Sequence, residues 1–102
     1  MRLERVPAGV ALVREGQRAH VFIHLLAGAA AVERDGVRIG SLRGGDFFGE
    51  IALLTYTSRT ATVTTTEPSA VLVVPEDEFR ALVDDEPGFG RRVFAAAAAR
   101  SF

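Results

Sequence analysis

The sequence predicts a mainly β fold: a small antiparallel barrel or sandwich with helices against one end. Three observations carry this. Up to about residue 75 the chain reads as short β-branched or apolar runs separated by turn signals. Asp35-Gly36, between Ala29–Arg34 and Val37–Leu42, is a hairpin signature, because a two-residue turn needs the positive φ values that Asp-Gly supplies. After residue 75 the pattern changes to helical, and strands followed by helices point to a β layer capped by helices.

Taken in order, Val10–Val13 is the first strand expected, closed by a Glu15-Gly16 turn. His20–Leu26 is apolar on both faces, as in a central buried strand, and Ala27-Gly28 ends it. The hairpin follows, and Gly44-Gly45 breaks its second arm. Gly49–Leu54 is long enough for about one helical turn between strands. Thr60–Thr66 and Ser69–Val74 are strands divided by the Glu67-Pro68 turn. From Pro75, PEDEFRALVDD has proline and acids in its first turn, both favourable there, and places Phe79, Leu82 and Val83 on one face. A last helix begins near Pro87 and runs through RRVFAAAAAR, where alanine favours helix even with only part of one face packed.

A chain of 102 residues suits one domain spanning 1–102, with the β part over about 6–75 and the C-terminal helices over about 76–101. Apolar residues make up 48% and charged residues 25%, so the chain can build a core. A net charge of −1 gives no electrostatic footprint for nucleic acid or an anionic membrane. Without cysteine there is no disulfide framework and no thiolate metal site. No apolar run approaches the length of about 20 residues that crosses a bilayer, and the N-terminus lacks a signal-peptide core. The expected compartment is the cytoplasm, either free or as the cytoplasmic part of a membrane protein.

Chemistry concentrates in GDFFGEIALLTYTSRTATV, residues 45–63. A helical turn opening at Gly49 offers free backbone N–H groups, and the missing side chain allows close approach. Arg59 adds a planar fork of donors that matches two phosphate oxygens. Glu50 would repel an anion aimed at the same atoms, so accepting a hydrogen bond from a neighbouring hydroxyl is its more economical role. A phosphate beside a sugar hydroxyl satisfies all three. The plain alternative is a Glu50–Arg59 pair across a loop, worth about 0–1 kcal/mol if exposed.

FGEIALLTYTSRTATV, Phe48–Val63, resembles the phosphate-binding cassette of cyclic nucleotide-binding domains, matching it without a gap at Phe48, Gly49, Glu50, Ala52, Leu53, Arg59, Ala61, Thr62 and Val63. VPAGVALVREG, LLAG, LRGGDFFGE and EDEFRALVDDEPGFGRRVFAAAAAR are similar to other parts of that family, so the resemblance covers nearly the whole chain. It implies an eight-stranded antiparallel jelly-roll-like barrel with a short cassette helix and two C-terminal helices. It also implies a regulatory sensor rather than an enzyme, taking cyclic AMP or cyclic GMP as ligand, with no cofactor and no metal. Residue by residue, Glu50 would accept from the ribose 2′-hydroxyl and Arg59 would pair with the exocyclic phosphate oxygens. Gly49 and backbone amides near Ile51, Ala52 and Thr60 would complete the cradle, and the Thr60 hydroxyl leans the base preference slightly toward guanine. Val32 and Ile39 fall where relatives place apolar groups against the base, with Arg100 and Phe102 as candidates to cover it.

Two departures bear on the loop: Ser58 stands where relatives have proline, and Tyr56 where many have glycine. The partner implied is an effector domain or protein outside this chain, with dimerisation through the last helix left open. A different class remains as the alternative, a degenerate barrel that binds protein and no nucleotide. A metal-dependent barrel enzyme is disfavoured, since His20 and His24 lie four apart, roughly 13 Å along a strand. Asp46 is placed as a cap or brace of the cassette turn without a ligand role.

Overall fold

The computed structural model describes residues 1–99, and its described strands form two four-stranded antiparallel sheets. The first sheet has the order β1 (Arg2–Val6), β8 (Ser69–Pro75), β3 (Val21–Ala27), β6 (Phe47–Phe48). The second has the order β2 (Ala11–Val13), β7 (Thr62–Thr65), β4 (Ala29–Arg34), β5 (Val37–Arg43). The sheets remain separate ladders, so the jelly roll is a sandwich and does not close into the barrel expected from the resemblance. Helix α1 (Glu50–Thr55) is inserted between β6 and β7, and α2 (Glu76–Asp85) and α3 (Pro87–Ala99) follow β8.

Alternation in β3 and β8 explains two cores. Ile23, Leu25, Val71 and Val73 point between the sheets, where they meet Val13, Val32, Leu42, Phe48 and Val63. Phe22 and Val74 point the other way, against Phe79, Val93 and the α1 residues Ala52 and Leu53. The rings of Phe47, Phe79 and Phe89 surround Phe22 at centroid distances of 5.4, 4.9 and 5.7 Å. A strand apolar on both faces is thus buried on both, by a sheet on one side and helices on the other.

The hairpin forms with Arg34 opposite Val37, and Asp35 and Gly36 take φ of 52° and 77°. Two strands were not anticipated. β1 precedes the first strand expected and pairs along its length with β8, Leu3 facing Leu72. It sits at a sheet edge and carries Arg2, Glu4 and Arg5, the charged dress of an edge strand that masks its β pattern. β6 is two residues long, its Phe48 opposite Ile23. The run expected from Thr60 becomes a strand at Thr62, because residues 58–60 are held by other contacts.

Candidate functional site

Helix α1 starts from Gly49 at φ 97°, a left-handed conformation that glycine adopts freely. Space imposes a second demand there: a Cβ on Gly49 would lie 2.6 Å from Arg59 Nη1 and 3.2 Å from the Val21 carbonyl oxygen. The missing side chain therefore makes room for the Arg59 guanidinium, where the sequence had suggested room for a ligand.

Arg59 is 6% exposed, and two of its N–H groups are fixed by the scaffold. Nη1 donates to the Gly49 carbonyl at 3.0 Å and Nη2 donates to the Val21 carbonyl. Its backbone is equally held: Arg59 N–H donates to Gln17 O at 2.8 Å, and Gly16 N–H donates to Arg59 O at 2.8 Å. Burial pushes the guanidinium below the ordinary arginine value, and the negative charge of Glu50 acts in the opposite direction. Glu50, in the first turn of α1, is fully buried. An acid and a base withdrawn from water in this way are not an exposed pair across a loop.

Gly49, Ile51, Ala52, Arg59 and Thr60 line one cleft, with Glu50 buried beside it at the start of α1. Val13, Phe48, Ala61 and Val63 give the cleft an apolar wall. Val13 and Val63 were not anticipated as lining residues, although alternation along Ala61–Val63 marks the face that turns inward. The proposed base contacts lie elsewhere. Val32 is fully buried between the sheets opposite Val63, and Ile39 is 39% exposed on β5, so neither lines the cleft. Arg100 and Phe102 lie outside the described residues.

A second groove adjoins the cleft and shares Ile51 and Thr60 with it. Its far wall is α3, through Phe94, Ala97 and Ala98, and Phe94 is 56% exposed. Thr60 is exposed, and its carbonyl accepts a hydrogen bond from Arg34 Nε at 2.9 Å, which ties the cassette loop to the β4–β5 hairpin. Asp46 braces the turn before β6, where its carboxylate accepts from Arg43 N–H at 2.9 Å. His20 is exposed ahead of β3 and His24 half-buried within it, and no group of metal-ligating side chains occurs among the described residues.

The profile of the cyclic nucleotide-binding domain matches residues 3–86. The chain is 32% identical over 92 residues to a cAMP-dependent protein kinase regulatory subunit from Hypocrea atroviridis, covering 90% of this chain and 20% of the relative. It is 33% identical over 92 residues to the Pycsar effector protein PaPycTIR from Pseudomonas aeruginosa, covering 89% and 30%. Among solved structures, the regulatory domain of Toxoplasma gondii PKA with cAMP aligns at a TM-score of 0.74 and 28% identity, over 78% of this chain and 32% of that one. A cAMP-bound PfPKA-R structure aligns at 0.75 and 22% identity, over 98% and 38%. The chain thus spans less than a third of each of these curated relatives. On the match over residues 3–86, and on a fold shared with cAMP-bound regulatory domains, the chain belongs to the cyclic nucleotide-binding domain family.

Proposed function

We propose that the chain is a sensor that binds a 3′,5′-cyclic nucleotide in the α1 cleft and passes occupancy through α2 and α3 to an effector. The observation that carries this reading is Arg59: a cation 6% exposed, locked by two carbonyls against Gly49, and lining a cleft it shares with the first turn of α1. Two N–H groups hold the scaffold, and the rest of the fork serves the exocyclic phosphate oxygens. Backbone N–H groups at Ile51, Ala52 and Thr60 complete the cradle. Glu50 accepts from the ribose 2′-hydroxyl. The groove between α1 and α3 gives a base leaving the cleft a place beside Phe94 and the Thr60 hydroxyl. The role is regulatory and non-catalytic, and its compartment is the cytoplasm.

Isothermal titration with cyclic AMP and cyclic GMP tests the reading. At least one is expected to bind, and Arg59→Ala to weaken it by about 2–4 kcal/mol through lost charge-assisted bonds. The 2′-deoxy analogue should bind the wild type more weakly and bind Glu50→Ala no more weakly than the parent nucleotide does. Absence of binding by both nucleotides at about 100 μM, roughly −5.5 kcal/mol, would instead favour the protein-interaction reading.

A further inference from the structure

Helix α1 is gripped at both ends by arginines that come from other parts of the chain. At its N-terminal end the Gly49 carbonyl accepts from Arg59. At its C-terminal end the Leu53 carbonyl accepts from Nη2 of Arg80, which belongs to α2. The last turn of α1 carries no basic residue of its own, so Arg80 supplies the cation that the carbonyl end of a helix favours. The same guanidinium lies over the ring of Tyr56, 4.4 Å from its centroid, and 3.7 Å from the carboxylate of Glu76 one turn back on α2.

Tyr56 makes this contact from an unfavourable backbone conformation. It closes α1 at φ 56°, where a side chain costs conformational energy that glycine would avoid, and its side chain is 80% exposed. The Tyr56 backbone N–H donates to the Ala52 carbonyl and closes the helix, and the exposed ring is covered by the Arg80 guanidinium.

We propose that Arg80 is a positioning residue for the nucleotide site, and that Tyr56 is the platform that seats it. This rests on the cyclic nucleotide reading above. A ligand that pulls on Arg59 moves Gly49, α1 and Leu53 as one short rigid piece, and Arg80 hands that displacement to α2. The reverse holds by reciprocity: docking of α2 and α3 sets the pitch of the helix that presents its amides to phosphate.

The test combines titration of cyclic AMP and cyclic GMP with amide hydrogen exchange. In the wild type, saturating nucleotide should slow exchange both in residues 50–57 and in α2. Arg80→Gln and Tyr56→Leu should each weaken binding about three- to tenfold, the part of one hydrogen bond or cation–π contact that reaches the site through α1. Together they should weaken it by less than the product of the two. At saturation both variants should keep protection in residues 50–57 and lose it in α2, and Arg80→Lys should recover part of it. A purely structural role would lower Tm without separating the two segments. If Arg59→Ala abolishes binding while Arg80→Gln and Tyr56→Leu keep wild-type Kd and α2 protection, the positioning role fails and the nucleotide site stands. If the wild type binds neither nucleotide, both fall.

Discussion

At the scale of single residues, the site turns on Gly49 and Arg59, which occupy one another's space. Gly49→Ala puts a Cβ 2.6 Å from Nη1 in a backbone conformation of φ 97°, so both the helix start and the guanidinium must shift. A loss of about 1–3 kcal/mol of stability is expected, read as a lower urea midpoint, together with weaker cyclic nucleotide binding. Glycines at open turns set the contrast: Gly9→Ala has only its φ of 85° to contend with, nothing lying within 4 Å of its Cβ, and should leave binding unchanged. Residue types in 45–63 were enough to name Glu50, Arg59 and the helical turn between them. The burial of Arg59 and its grip on Gly49 and Val21 were not legible, because Val21 is 38 positions away and only the folded sheet brings its carbonyl into reach. Val32 shows the complementary limit. An apolar residue on a strand is equally suited to a base or to a core, and only the fold shows Val32 fully buried in the inter-sheet core.

Among elements, the segment between α1 and β7 shows how this chain holds its loop with Ser58 where the cassette pattern it resembles has proline. Ser58 bridges to Arg18, and the Arg59 backbone bonds in both directions with Gly16 and Gln17, so the loop after β2 clamps the cassette loop from outside. Those bonds use the N–H of Arg59 and Gly16, and the Ser58 N–H serves none of them. Ser58→Pro therefore sacrifices no bond of the clamp and restricts the unfolded chain. It is expected to raise stability by about 0.4–1 kcal/mol, seen as a higher Tm, with nucleotide affinity kept or improved. A lower Tm would show that the backbone at 58 is incompatible with proline. Element types were readable wherever turn chemistry was explicit, as at Asp35-Gly36, or where a β-branched run ended at a turn, as at Ser69. They were unreadable where a strand is defined only by its partner. β1 is charged and lies at an edge, and β6 is too short to carry a period, so each exists because β8 or β3 offers an open row of hydrogen-bonding groups.

For the whole molecule, the division into two cores separates what holds the two sheets together from what holds the helices against them. The inter-sheet core contains no residue of α1, α2 or α3, whereas the second core joins β3 and β8 to all three helices through Phe22, Ala52, Leu53, Val74, Phe79 and Val93. Phe22 stands at its centre, 3% exposed, with the rings of Phe47, Phe79 and Phe89 around it. Phe22→Ala should cost about 3–5 kcal/mol, since the surrounding rings can only partly collapse into the space. Location matters more than magnitude here. Val71→Ala, a cut into the inter-sheet core at a fully buried position, removes strand packing and should lower stability across both sheets. Phe22→Ala removes the surface on which α2 and α3 rest. In hydrogen exchange it should raise the rates of α2 and α3 well before those of β4 and β7, which it does not touch. Equal acceleration in the helices and in β4 and β7 would mean that the two cores melt as one cooperative unit. The helices could not then shift independently of the sandwich, and a signal passed from α1 would have to deform the sheets as well.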